Sequence, residues 1–282
     1  MLVNLNDVLK DAREKKYGVG LFNTTDTDML EGVIAAAEEL RSPVIVGTAE
    51  VLLPFGELKL IAPAIIKAAE RATVPVVVHY DHGLTFDRCI EALDLGFTSV
   101  MYDCSTDSYE DNIKRVKEMA DIAHSRGATI EGELGHVGDN EGSKEGDSQL
   151  DDPSKFYTDP ESAKDFVEKT GVDALAIAIG TAHGAYKSTP KLDIERLKQI
   201  CATIDTPLVL HGGSGLSDDD FKNTIKNGIS KVNIFTDLCL AGKAAMKENL
   251  EKDYLDIRNA KVEAFKTATM RKMKLFGSDG RY

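Results

Sequence analysis

Short apolar runs alternate with amphipathic stretches along almost the whole of this 282-residue chain. Val19-Gly-Leu-Phe-Asn23 precedes a helical pattern over 28–40, the run 43–47 precedes one over 58–71, and 75–80 precedes one over 86–95. The runs 99–103, 128–134, 174–180, 207–210 and 231–235 continue the series, with helical patterns over 109–125 and 194–204 between them. Pro43, Pro75 and Pro207 open three of the runs, where a residue without an N–H is tolerated in a sheet. Short, wholly apolar runs between helices predict parallel strands covered on both faces. Eight such units predict a closed (β/α)₈ barrel; an open doubly wound sheet is the alternative, and no G-x-G-x-x-G follows the first run to support it. Two segments break the rhythm. Residues 135–159 are rich in Gly, Asp, Glu and Ser with no apolar period, and their place after the fifth strand predicts an active-face loop that acts as a lid. The tail over 255–276 predicts a helix packed on the barrel or on a neighbour.

Composition narrows the classes. The chain is long enough for one large α/β domain or two small ones; the barrel reading makes it a single domain over 1–282. The net charge of −13 argues against a nucleic-acid partner, whose phosphates attract basic surfaces, but leaves room for a small phosphorylated ligand in a local pocket of donors. Cys89, Cys104, Cys201 and Cys239 form no C-x-x-C pair and read as free thiols of a reducing compartment. No leader pattern and no apolar stretch near the ~20 residues of a span are visible, so a cytoplasmic protein without a membrane partner is expected.

The chemistry collects where the apolar runs end: Asn23, Asp81-His82, Asp103, Glu131 and Glu133, His183-Gly184, His211-Gly-Gly-Ser214, and Asn233-Ile-Phe-Thr236. In a barrel these points share one mouth, where polar residues read as catalytic. The imidazoles of His82, His183 and His211 suit a catalytic zinc that keeps an open position. Gly212, Gly213 and Ser214 can offer backbone N–H groups and a hydroxyl to a phosphate, ahead of a helix whose N-terminus favours an anion. Gly184 and Thr236 lie across the same mouth, and Lys187 can add charge. Against this stands the bland alternative of polar strand ends that merely face water. His124 is expected at the surface, and His79 in the core or beside a ligand residue.

The blocks Tyr80-Asp81-His82-Gly83, Glu131-Gly-Glu133-Leu-Gly135, Gly180-Thr-Ala-His-Gly184, Leu210-His-Gly-Gly-Ser214-Gly and Lys231-Val-Asn-Ile-Phe-Thr236 resemble, in order and over nearly the whole chain, the class II zinc-dependent ketose-bisphosphate aldolases. The resemblance implies reversible cleavage of a phosphorylated ketose, of the fructose or tagatose 1,6-bisphosphate type, to dihydroxyacetone phosphate and an aldehyde. It implies zinc on His82, His183 and His211, polarising the ketose carbonyl. Asp81 would be the general acid/base on the C4 oxygen, or else the partner orienting a ligand histidine. Asp103 and Glu133 match a second metal position, Glu141 the loop acid that exchanges the C3 proton, and Asn233 a hydrogen-bonding group for the enediolate. Ile234, Phe235 and Thr236 join the phosphate site, near which the family places a monovalent cation, Na⁺ or K⁺. A homodimer or homotetramer is the family's usual assembly.

Substrate choice is where the chain departs from that pattern. Asn23 is followed by Thr24, Thr25 and Asp26, so a carboxylate stands where an amide is usual; it faces the substrate or caps the first helix. Thr48 is the candidate for the small hydroxyl residue at the end of the second strand. Arg258 and Lys261 are not in clear register with the family's arginine for the distal phosphate. The departures point to an alternative substrate, a ketose 1-phosphate whose aldehyde half carries no phosphate. Two rivals of other kinds remain: a zinc hydrolase on the same barrel, and a sugar-phosphate sensor without catalysis.

Overall fold

The computed structural model describes residues 1–135, 138–139, 157–183 and 190–282, with the side chains of 138, 139 and 183 left aside. In chain order it runs β1 (Leu2–Val3), α1 (Leu5–Lys15), β2 (Val19–Asn23), α2 (Thr27–Leu40), β3 (Val44–Ala49), α3 (Leu58–Arg71), β4 (Val76–Gly83), α4 (Phe86–Leu95), β5 (Ser99–Tyr102) and α5 (Tyr109–Ser125). It continues with β6 (Thr129–Leu134), β7 (Gly138–Asp139), α6 (Pro160–Thr170), β8 (Ala174–Ile177), β9 (Ala182–His183), α7 (Ile194–Thr203), β10 (Leu208–Leu210), α8 (Asp218–Lys226), β11 (Ile229–Ile234), α9 (Thr236–Glu248) and α10 (Tyr254–Phe276). Strands β2, β3, β4, β5, β6, β8, β10 and β11 pair in parallel, each with the next, and β11 returns to β2. The eight expected strands therefore close a (β/α)₈ barrel. The open sheet is excluded, because a doubly wound sheet leaves two edges.

Each proline-led run begins its ladder one residue later, at Val44, Val76 and Leu208. The carbonyls of Pro75 and Pro207 still accept from Val44 and Leu175, so the prolines contribute the acceptor they retain. The outer faces of the strands pack against the helices through Phe22, Val46, Val78, Tyr80, Val100, Ile130, Leu210 and Ile234, among others. The inner faces are smaller: Val19, Leu21, Ile45, Val77, Ala174, Ala176 and Val209 pack against Leu5, Val8, Leu9 and Ala12 of α1. Helix α1 thus plugs the bottom of the barrel and leaves the opposite mouth for polar groups. It was not among the expected elements, although Leu5, Val8, Leu9 and Ala12 have helical spacing and Asn4 with Asp7 forms a capping box.

The tail helix packs on its own barrel, along α2 and α9. Gly32 and Gly242 make room for it, since a Cβ at either position would come within 2.7 Å of Phe265 side-chain atoms. Helix α6 was likewise unexpected, and residues 140–156 of the proposed lid fall outside the described residues. Among the described residues no helix is long and apolar enough to cross a membrane.

Candidate active site at the barrel mouth

A regular strand alternates its side chains, so Asp81 and His82 could not both face the mouth without a distortion. The distortion is present. Between Tyr80 and Gly83, β4 slips in register against β5, three steps on one strand matching two on the other. His82 takes φ = 42°, a left-handed conformation that costs a residue with a Cβ about 1–2 kcal/mol. Such strain is commonly retained where it aims a side chain. Asp81 and His82 both turn toward His211: ligand atoms of all three lie within 4.8 Å of one another, and the two rings are 4.5 Å apart at 66°.

Each ring is steered from its far nitrogen. His82 Nδ1 lies 2.9 Å from Asp103 Oδ2, whose other oxygen accepts from the Ser105 amide and hydroxyl. His211 Nε2 lies 2.8 Å from Glu131 Oε1, and its Nδ1 is 3.0 Å from Glu133 Oε2. Carboxylates on the rear nitrogens of a pair of imidazoles are the usual support of metal ligands. The donor set therefore fits a zinc-class cation, with His82 Nε2 and His211 Nδ1 as the nitrogens directed inward. Burial alone would lower the His211 pKa, but Glu131 and Glu133 raise it to about 10. Burial opposes His82 in the same way, and Asp81 with Asp103 shifts it upward.

Asp81 is buried and ionised. Asn23 Nδ2 donates to Oδ2 at 2.8 Å, and Asn233 Nδ2 lies 3.0 and 3.2 Å from its two oxygens. Burial would raise its pKa, yet the surrounding cations, His82 first and Lys231 next, hold it far below the carboxylate range. His79, as expected, is a core group: fully buried, with Nδ1 2.7 Å from Ser99 Oγ, and lowered to about 3 by burial. His124 is on the surface, paired with Asp173.

The structure redistributes several expected roles. Asp103 holds His82, while Glu133 lies beside the inward nitrogen of His211; a grouping of His82, Asp103 and Glu133 within 4.8 Å keeps the second metal position geometrically open. Asn23 is a donor to Asp81, so its first duty is toward the acid and not toward substrate choice. Asn233 uses both ends of its amide on the protein, Nδ2 on Asp81 and Oδ1 on Lys231. Thr48 is corrected: it aligns with Tyr80 in the ladder, and Tyr80 packs outward against Phe97, so Thr48 faces the helical layer while Ala49, aligned with Asp81, faces in. Asp26 is also settled. It is the N-cap of α2, accepting from Met29 N at 2.8 Å, with Lys261 Nζ 3.7 Å from its other oxygen. Its charge is engaged there.

The phosphate loop is corrected in one respect. The N-terminus of α8, directly after Gly212–Ser214, is already closed by the Ser217–Asp220 capping box and carries Asp218 and Asp219 in its first turn. The helix that begins with Thr236 is better placed to receive an anion, because Phe235 at its N-cap gives no side-chain cap. Asp237 in that turn is paired with Lys272 Nζ at 2.6 Å. Gly213 packs against this strand end, where a Cβ would sit 3.2 Å from Asn233 O. Ile234 and Phe235 pack their side chains in or against the core, leaving only backbone for a ligand. Gly212 has φ = 64° and touches Ala182, where a Cβ would fall 2.4 Å from the carbonyl oxygen. That contact brings the backbone of β9, and so position 183, beside His211. Glu141, Gly184 and Lys187 lie outside the described residues, as does the side chain of His183.

Gly212→Ala is therefore expected to displace this loop. Both the left-handed backbone and the contact with Ala182 oppose a Cβ, and such substitutions destabilise by more than the ~0.4–1 kcal/mol a compatible one contributes. Steady-state kinetics should show the loss mainly in KM for a phosphorylated substrate; an unchanged KM would place the phosphate elsewhere.

Sequence reasoning named Glu131 only as a polar strand end and gave neither it nor Lys231 a role. Both are fully buried, with Nζ and Oε2 2.8 Å apart. The signal was available: a lysine in the middle of the interior strand Ile229–Ile234 has to be buried and paired.

A barrel whose mouth sets a buried carboxylate beside steered imidazoles and a glycine loop has the layout of an enzyme active site able to hold a metal ion. The fructose-bisphosphate aldolase class-II family profile matches residues 3–281. The chain is 41% identical over 281 residues to the Escherichia coli K12 protein YdjI, covering 100% of this chain and 99% of that one. It is 38% identical over 309 residues to the fructose-bisphosphate aldolase of Thermus caldophilus, covering 100% of both. The crystal structure of the YdjI aldolase superposes with a TM-score of 0.91 at 39% identity, over 100% of this chain and 99% of the other. The chain belongs to the class II fructose-bisphosphate aldolase family, whose members are lyases acting on phosphorylated sugars.

Proposed function

We propose that this protein is a zinc-dependent aldolase that reversibly cleaves a phosphorylated ketose to dihydroxyacetone phosphate and an aldehyde. The single observation carrying this is the buried, ionised Asp81 held by two asparagines beside the His82 and His211 rings. His183 is the third zinc ligand in this reading. When bound, the cation supplies Lewis-acid polarisation of the ketose carbonyl. The chain does the rest. The Gly212–Ser214 loop and the first turn of α9 hold the 1-phosphate, which places C4 and its hydroxyl toward Asp81. Asp81 accepts the C4 hydroxyl proton as the C3–C4 bond breaks, C4 becomes the aldehyde carbon, and the bonding pair stays with the dihydroxyacetone phosphate fragment. Condensation is the reverse, with Asp81 returning the proton. Glu141 is the candidate for exchanging the C3 proton, and a monovalent cation near the phosphate belongs to the same reading. A homodimer or homotetramer is the proposed assembly.

One observation favours a substrate whose distal end is uncharged. The cations that α10 brings to the N-terminal end of α2, on the mouth side, are both occupied. Arg258 binds Asp28 and Glu31, and Lys261 lies 2.7 Å from Asp28 and 3.7 Å from Asp26. A second phosphate there would have to compete with three carboxylates. Purified protein supplied with zinc is expected to release dihydroxyacetone phosphate from a panel of ketose phosphates, with higher kcat/KM on 1-phosphates than on 1,6-bisphosphates. Release from none of them overturns the aldolase reading; a clear preference for fructose or tagatose 1,6-bisphosphate overturns only the distal-end assignment.

A further inference from the structure

Lys231 is shut off from bulk solvent. It points into the barrel from β11, aligned with Val209 and Val19, and is fully buried. Its ammonium has two partners at 2.8 Å, Glu131 Oε2 and Asn233 Oδ1. Glu131 in turn holds His211, and Asn233 holds Asp81, so Lys231 touches neither the substrate's proton acceptor nor an imidazole but stands behind both.

The chemistry of the amide makes this placement consequential. Asn offers one accepting end and one donating end. An ammonium only donates and an ionised carboxylate only accepts. With Lys231 on one side and Asp81 on the other, Asn233 has a single favourable orientation, Oδ1 to the lysine and Nδ2 to the acid. Flipping it would set donor against donor and acceptor against acceptor. Asn23, the other donor to Asp81, lacks such a lock: its Oδ1 is buried without a hydrogen-bond partner among the described residues. We propose that Lys231 is a positioning residue for the proton-transfer step, fixing the Asn233 amide so that the Asp81 carboxylate is held in one orientation toward the C4 hydroxyl.

This rests on the acid/base role given to Asp81 above, and the test separates the two. Lys231→Met removes the ammonium but strands Glu131, so the pair Lys231→Met/Glu131→Gln is made beside it to keep the interior neutral. In both variants cleavage is expected to fall roughly 10–100-fold in kcat, the range seen when the support of an active-site group is lost. Assayed at saturating zinc, which offsets the weaker support of His211 in the double variant, KM should be little changed, zinc stoichiometry unchanged, and C3-proton exchange in dihydroxyacetone phosphate close to wild type. A merely structural lysine would lower cleavage and exchange together. A direct readout needs no substrate. The Asn233 side-chain amide protons, identified by NMR from their disappearance in Asn233→Leu, are expected to exchange slowly with solvent in the wild type and faster in both lysine variants. Unaltered amide exchange, or equal losses in cleavage and proton exchange, overturns the inference. If the wild type cleaves no ketose phosphate, the aldolase reading fails, and the amide measurement still decides whether Lys231 locks Asn233.

Discussion

Asp81→Ala is expected to lose cleavage and condensation by roughly 10²–10⁴-fold, the contribution of a positioned acid or base, while still exchanging the C3 proton of dihydroxyacetone phosphate with solvent. The asymmetry follows from the geometry. Asp81 is the acceptor on which Asn23 and Asn233 converge, and it is held ionised in a site where burial alone would protonate it. Removing the carboxylate leaves both imidazoles with their own supports, His82 on Asp103 and His211 on Glu131. The part of the site that activates the dihydroxyacetone phosphate half therefore survives. Deuterium incorporation at C3, measured beside cleavage on the same preparation, reads the separation directly. An exchange rate that collapses as far as cleavage would show that Asp81 serves the metal or the enolisation instead.

Removing the cation should be more severe. Treatment with a strong chelator is expected to abolish cleavage and exchange together, and zinc or cobalt to restore both. The variant that tests the ligand set is His82→Ala rather than His211→Ala. His211 has Glu131 and Glu133 within 3.0 Å, and deleting it would strand buried Glu133 and leave Glu131 to Lys231 alone, a loss of up to ~3–5 kcal/mol by itself. His82 is partly exposed, and its partner Asp103 keeps the Ser105 amide and hydroxyl. His82→Ala should therefore fold, bind zinc more weakly by at least the ~10–100-fold caused by losing an outer support, and remain inactive at ordinary zinc levels. Metal content by mass spectrometry with circular dichroism distinguishes this from unfolding. Full activity in protein shown to be free of metal would direct attention to a Schiff-base lysine. Borohydride trapping would test that, and Lys231, buried against two acceptors, is not expected to be labelled.

The barrel was legible because parallel strands buried on both faces are mostly apolar, and each was followed by a helical period or a turn. Helices over 58–71, 86–95 and 109–125 match their observed bounds residue for residue, since strong apolar periodicity fixes where a buried face ends. Helix α1 was missed for a different reason. Its apolar face closes the bottom of a barrel, a task that strand and helix alternation does not announce, although the helical spacing was there to read. Helix α8 was expected after Gly212–Ser214 as an anion site, but its N-terminus is taken up by the Ser217–Asp220 capping box, with Asp218 and Asp219 in the same turn.

The sequence by itself determined which residue types stand at the strand ends, because in this architecture a polar group at the end of an apolar run has only the mouth to occupy. It could not determine duties within the mouth. Those depend on which atoms lie within hydrogen-bond reach, and strands far apart in the chain decide that: Asn23 and Asn233 meet on Asp81 from β2 and β11, and Glu131 from β6 reaches both His211 and Lys231. Thr48 and Ala49 differ by one position, yet the register of β3 against β4 sends one to the helices and the other to the mouth. Asp26 has the same carboxylate as a substrate-facing acid, and only the start of α2 one residue later makes it a cap. Tertiary structure settled these points because side-chain period on a strand is two: a shift of a single residue in register exchanges inside for outside.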